Sequence, residues 1–133
     1  MFNVNKEFSV NIQNEKSIAK AAIKNKRLEI EYGGFTFNGQ KWGSSIKDEL
    51  RLNSSIKLLE SGVIETINGF EPAPGVIIDL NLETALAAST FLMVHYNNCF
   101  NTERIKASEI NKLKNIKTIK AYLDKNLNTG WPE

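Results

Sequence analysis

Apolar residues occupy the even positions from 2 to 12, except for Lys6, with mostly polar residues between them. A side-chain period of two is typical of a β-strand with one buried face. We therefore predict a separate N-terminal strand, or arm, over residues 1–13, which either completes the domain's own sheet or pairs with the sheet edge of another chain. Its candidate contact residues are Phe2, Val4, Phe8 and Val10.

Apolar spacings of three and four residues replace this pattern from Asn14 onward and predict helices. The first should end at the glycine pair 33–34, because glycine adopts positive φ at helix ends. A second helix should begin after Ser45, which resembles a capping box with Asp48 three residues later. It should stop at the Ser-Gly pair 61–62.

The third predicted helix is the longest and most hydrophobic, with Asn81 as its N-cap and Phe100 near its end. Its apolar residues extend around much of the circumference, so we expect a central helix that is core on more than one side. They are Ala85, Leu86, Ala88, Phe91, Leu92, Tyr96, Cys99 and Phe100. A further helical segment follows, with a break at Asn115.

Two β-hairpins are predicted between these helices. Residues 35–37 and 41–42 flank Asn38-Gly39, a pair typical of tight hairpin turns. A looser hairpin is predicted from strands at 63–67 and 76–80, separated by the Gly- and Pro-rich stretch 68–75. The predicted fold class is α+β: a single domain over 14–133 with two short hairpins, about four helices and the N-terminal strand.

Composition favours a soluble globular domain. The chain has 133 residues, of which 41% are hydrophobic and 24% charged. No signal peptide or run of 18 apolar residues is visible, so no membrane contact is expected. The single cysteine, Cys99, suits a reducing compartment.

The first helix carries a basic stripe, because Lys16, Lys20 and Lys24 recur every four residues and Arg27 follows them. Such a stripe is either a solvated face or a surface for an acidic partner. The formal net charge is only +2, and no nucleic-acid motif or aromatic platform accompanies the stripe. We therefore do not expect nucleic acid as a partner.

Candidate chemistry is sparse. His95 and Cys99 stand four residues apart on the third helix, a spacing at which a Cys-His pair can form. Their apolar neighbours instead favour a buried histidine that donates one hydrogen bond. No phosphate-binding, hydrolase or metal-binding motif occurs, so we expect no catalytic residue, cofactor or metal, and no enzymatic activity.

Several motifs together resemble a family. The residues are Glu29, the run 33–39 (Gly-Gly-Phe-Thr-Phe-Asn-Gly), 79–81 (Asp-Leu-Asn), the alanine-rich helix to His95, Cys99-Phe100, and 130–132 (Gly-Trp-Pro). Over residues 25–132 the chain resembles a phage and prophage domain of unknown function that recurs in tail-fibre-associated proteins. Relatives often carry a tryptophan in the strand before Gly69-Phe70, where this chain has Ile64 to Ile67.

The resemblance implies a setting in the virion tail or in its assembly inside the bacterial cytoplasm, and it supplies no catalytic residues. We therefore predict a protein-binding module whose partner is another phage tail protein or a second copy of the chain. Trp131 either docks on the domain or contacts that partner. The alternative is a small phage-encoded inhibitor that binds a host defence protein through the basic stripe.

Overall fold

The computed structural model describes residues 4–133, with side chains from Val10 onward. The elements in order are α1 (Val4–Glu31), β1 (Phe35–Phe37), β2 (Gln40–Trp42), α2 (Ile46–Glu60), β3 (Thr66–Ala73), β4 (Val76–Asn81), α3 (Leu82–Asn111) and α4 (Ile116–Asn126). Within the described residues these are four helices and two antiparallel two-stranded sheets. The predicted α+β class is confirmed.

The chain divides into two compact units. Unit 1 comprises Met1–Glu29 and Cys99–Pro132, and unit 2 comprises Ile30–Asn98 with Glu133. Each unit has its own hydrophobic core.

The strand predicted over residues 1–13 is wrong from Val4 onward, where the backbone belongs to α1. Val4, Phe8 and Ile12 are four residues apart, so their pattern fits a helix face as well as a strand. Phe2 lies outside the described residues. α1 continues through residue 13 without a break. The separation of residues 1–13 from the domain over 14–133 stays a prediction.

The core of unit 1 is formed by α1, the end of α3 and α4. Its buried residues are Ala19, Ile23, Ile110 and Ile119, with Ile12 and Trp131 among the half-buried residues around them. Asn115 is the N-cap of α4, because its side-chain oxygen accepts a hydrogen bond from the Thr118 amide at 2.9 Å. The predicted break at Asn115 is thereby confirmed.

The core of unit 2 is built around the first hairpin. Phe35 pairs with Trp42 across β1 and β2. The predicted turn is present at Asn38-Gly39, and both residues have positive φ. The hairpin packs against α2, which begins with the predicted capping box between Ser45 and Asp48. Three apolar residues of α2 are buried in this core: Leu52, Ile56 and Leu59.

The second hairpin begins later than predicted. Residues 63–65 lie outside β3, whose pairing with β4 is shifted between Ile67 and Phe70. Gly69 has a φ of +73° within this shift, so the Asn-Gly pair forms a bulge inside β3, where only a connection between strands was predicted. The chain reverses at Pro74-Gly75, within the predicted connecting stretch 68–75.

Candidate functional site

An exposed apolar surface on α3 is the feature of unit 2 with the clearest functional meaning. The helix begins firmly, because the Asn81 side-chain oxygen accepts a hydrogen bond from the Thr84 amide at 2.9 Å. Glu83 lies in the first turn, where the helix dipole favours negative charge. Alanines follow and favour helix most strongly of all residues.

Only one face of α3 is buried in unit 2. Ala85, Ala88 and Leu92 are inaccessible to solvent or nearly so. We define the α3 apolar face as four largely exposed residues: Leu86 (47% exposed), Phe91 (52%), Met93 (44%) and Val94 (49%). The prediction of core on more than one side is therefore wrong for this part of the helix.

The segment that carries this face has no charged side chains. No Asp, Glu, Lys or Arg occurs between Glu83 and Glu103. Single exposed apolar residues are common on protein surfaces, but helices that remain in water usually carry charged or polar residues on the outer face. Clustered apolar residues with little charge are typical of a surface that binds another protein.

Contacts from α3 to the first hairpin and to the segment after it hold the α3 apolar face in position. The Phe91 ring centroid lies 5.1 Å from that of Phe37 on the first hairpin. The Tyr96 hydroxyl donates a hydrogen bond to the Ser44 carbonyl at 2.7 Å. Partial burial raises the pKa of Tyr96 well above its usual value, and the nearby Glu49 carboxylate raises it further. The hydroxyl therefore stays protonated and can donate. The surface is therefore preorganised.

His95 has a structural environment in unit 2. Its Nε2 atom lies 3.2 Å from the carbonyl oxygens of both Ile30 and Glu31. Because carbonyls only accept hydrogen bonds, Nε2 carries the proton and donates. The side chain is buried, as predicted.

Cys99 is fully buried in unit 1. A reactive thiolate requires access and an electropositive environment, and burial denies the access. The arrangement around these two residues thus supports packing and hydrogen bonding.

The predicted basic stripe is divided between internal and exposed roles in unit 1. Lys16 is only 8% exposed, and its Nζ donates to the Asn111 carbonyl at 2.7 Å, at the end of α3. Arg27 is 6% exposed, with its Nε 3.3 Å from a Glu103 carboxylate oxygen. Lys20 donates to the Asn111 side chain at 3.0 Å.

Lys24 is exposed, whereas Lys16 and Arg27 are buried. The structure therefore does not bring the four cations together as one free surface. Among the predicted contact residues of the arm, Val10 is half exposed, and the side chains of Val4 and Phe8 lie outside the described part of the chain.

Lys106 lines a cavity of about 200 Å³ in unit 1 that the sequence did not indicate. Its Nζ donates to the carbonyls of Asn126 and Thr129, each at 2.8 Å, and lies 5.3 Å from the Trp131 ring centroid. Burial lowers the pKa of Lys106, opposed by the Glu109 carboxylate. Asn126 is the last residue of α4 and Thr129 follows its end, so Lys106 caps this helix and holds the segment after it. Trp131 is docked on its own unit.

A second cavity, of about 220 Å³, lies beside Arg51 in unit 2. Arg51 donates to the Glu71 carbonyl, and a guanidinium nitrogen lies 3.8 Å from a carboxylate oxygen of Asp48. The cation at this position is thus engaged by its own unit.

The residues that the structure describes contain no group of three or more His, Cys, Asp or Glu side chains placed to hold a metal ion. Within the same part of the chain, no helix is long and apolar enough to cross a membrane.

A family model described as a domain of unknown function (DUF4376) matches residues 14–126. No curated protein and no solved structure matches the chain.

Proposed function

The chain belongs to the DUF4376 family of domains of unknown function, and we propose that it is a non-enzymatic protein-binding module that docks through the α3 apolar face. The observation that carries this proposal is the exposure of Leu86, Phe91, Met93 and Val94 within a segment free of charged side chains. Transfer of such side chains from water into an interface is favourable by about 25 cal/mol per Å² of apolar area.

The proposed setting is the tail of a bacteriophage or prophage, in tail-fibre structure or assembly. Its support is the resemblance of the run 33–39, the helix to Cys99-Phe100 and the ending 130–132 to tail-fibre-associated domains. The partner is then another tail protein or a second copy of the chain. The protein would act in the bacterial cytoplasm during assembly, or within the finished tail.

The non-enzymatic part of the proposal rests on the surroundings of the two candidate reactive side chains. The His95 ring donates to backbone carbonyls, and Cys99 is fully buried. Neither presents a reactive atom to a substrate.

The test is photo-cross-linking in bacteria that are assembling phage particles. A benzophenone amino acid replaces Val94 on the α3 apolar face, and the matched control carries it at Ser54, which is exposed on α2. We expect cross-links from position 94 to a tail protein or to a second copy, identified by mass spectrometry, and none of these from position 54. Equal cross-linking at both positions would contradict the proposal, and a host protein alone at position 94 would contradict the tail setting.

A further inference from the structure

Four exposed residues of α3 form a regular seam within unit 2. Leu86, Thr90, Met93 and Asn97 are separated by four, three and four residues, and all four are exposed. This alternation places side chains in one stripe along a helix and is the spacing by which two helices pack against each other in a coiled coil. We call these four residues the α3 seam.

The α3 seam alternates apolar and uncharged polar positions. Leu86 and Met93 supply the apolar layers, and Thr90 and Asn97 supply the polar ones. A polar Asn in the equivalent position of two-stranded coiled coils specifies register and the number of strands, at some cost in stability.

The absence of charged side chains allows the α3 seams of two copies to pack against each other. A seam with charged residues of one sign would repel its own copy, whereas this segment carries no Asp, Glu, Lys or Arg from Thr84 to Thr102. The whole chain has a formal net charge of only +2, so long-range repulsion between two copies is small.

We infer that a second copy of this chain covers the Leu86, Met93 and Val94 side of the α3 apolar face, with the two α3 seams side by side and parallel about a twofold axis. Each apolar layer then meets the same residue of the second copy, and the Asn97 amides meet as donor and acceptor. Val94 flanks the seam and adds apolar area at its edge. The inference rests on the proposed function and names the partner.

The first test is the native mass of the full chain, measured by size-exclusion chromatography with light scattering over a concentration series. We compare the wild type with Met93→Lys on the seam and with Leu58→Lys on α2. The two substituted residues are matched, since each is 44% exposed. Circular dichroism checks that both variants fold.

We expect the wild type and Leu58→Lys to have twice the 15.0 kDa chain mass, and Met93→Lys to have the mass of one chain. A wild type that is monomeric at every concentration would overturn the inference, as would a folded Met93→Lys variant that keeps the doubled mass. A trimeric mass would overturn the twofold pairing.

Orientation is tested by disulfide cross-linking under mild oxidation. Asn97→Cys should give a covalent dimer, because parallel seams bring the two positions together, and Ser54→Cys on α2 should not. Cross-linking only between Thr90→Cys and Asn97→Cys chains in a mixture would contradict the parallel arrangement.

The two proposals fail separately. A monomeric wild type whose position 94 still cross-links to another tail protein refutes self-pairing and leaves the binding module. The absence of any cross-link from position 94 refutes the binding module itself.

Discussion

The Nε2 atom of His95 lies 3.2 Å from the carbonyl oxygen of Glu31, the last residue of α1. The Ser44 hydroxyl donates to the same carbonyl at 2.6 Å and accepts from the Gly34 amide, also at 2.6 Å. Carbonyls at the end of a helix have no partner within the helix. These two side chains therefore complete the end of α1 and connect it to α3 and the first hairpin within unit 2.

Replacing His95 tests that connection. His95→Phe keeps an aromatic ring that can stack on Phe35 but removes the N–H donor. The free energy of unfolding should fall by about 1–3 kcal/mol, because buried carbonyls lose a hydrogen bond. Urea unfolding measures it, with Ser108→Ala at an exposed position of the same helix, outside the α3 seam, as the control. Equal stability of His95→Phe and the wild type would contradict the structural role.

Lys106 should stabilise unit 1 as a helix cap. Lys106→Met retains most of the side-chain volume but leaves the Asn126 and Thr129 carbonyls without their donor. We expect a loss of about 1–3 kcal/mol in the free energy of unfolding. Lys120→Met, at an exposed position on α4, is the matched control and should change stability little. A similar, small effect of both substitutions would show that Lys106 does not act as a cap.

Gly43 leaves the space that the α2 capping box needs. A Cβ at this position would overlap the Asp48 carboxylate, which accepts a hydrogen bond from the Ser45 amide at 3.0 Å. Gly43→Ala should therefore displace Asp48 and cost about 1 kcal/mol, the usual value of a lost cap.

A double-mutant cycle with Asp48→Ala isolates this effect. If Gly43→Ala acts through Asp48, it should cost clearly less in the Asp48→Ala background than in the wild type. Full additivity of the two substitutions would refute the explanation.

Two tyrosines should make stability fall at alkaline pH. Partial burial raises the pKa of Tyr96 and of Tyr122 well above 10, and a hydrogen bond from Tyr122 to Glu109 adds to the effect. Unfolded tyrosine loses its proton near pH 10. The native state then binds more protons above that pH, so this contribution to stability is complete below about pH 10 and is lost as the pH rises further.

The corresponding measurement is urea unfolding between pH 9 and 11. The stability of the wild type should fall more steeply above pH 10 than that of the Tyr96→Phe, Tyr122→Phe double variant. Parallel curves would contradict the raised pKa values.

Local signals in the sequence predicted much of the fold. The Asn38-Gly39 turn, the Ser45–Asp48 capping box and the Asn115 cap each depend on residues close in sequence, and all three are present. The prediction of an N-terminal strand was wrong because residues four apart satisfy both the strand period and the helix period. The bulge at Gly69 was not predicted either, because an Asn-Gly pair fits a bulge as well as a turn.

The candidate site was harder to predict, because exposure depends on which residues other elements cover. The hydrophobicity of α3 indicated burial for Leu86 and Phe91, whereas neighbouring elements cover only the opposite face. The internal roles of Lys16 and Lys106 depend on carbonyls 95 and at least 20 residues away in sequence. The missing charge between Glu83 and Glu103 was the available signal for the site.

The most direct test of a covered α3 apolar face is the rate at which a cysteine on it reacts with a maleimide. Met93→Cys is compared with Leu58→Cys, and the native Cys99 gives little background because it is fully buried. We predict slower labelling at position 93 than at position 58 in concentrated protein, and a rate at 93 that rises on dilution. Equal rates that do not depend on concentration would show that a second copy does not cover the face.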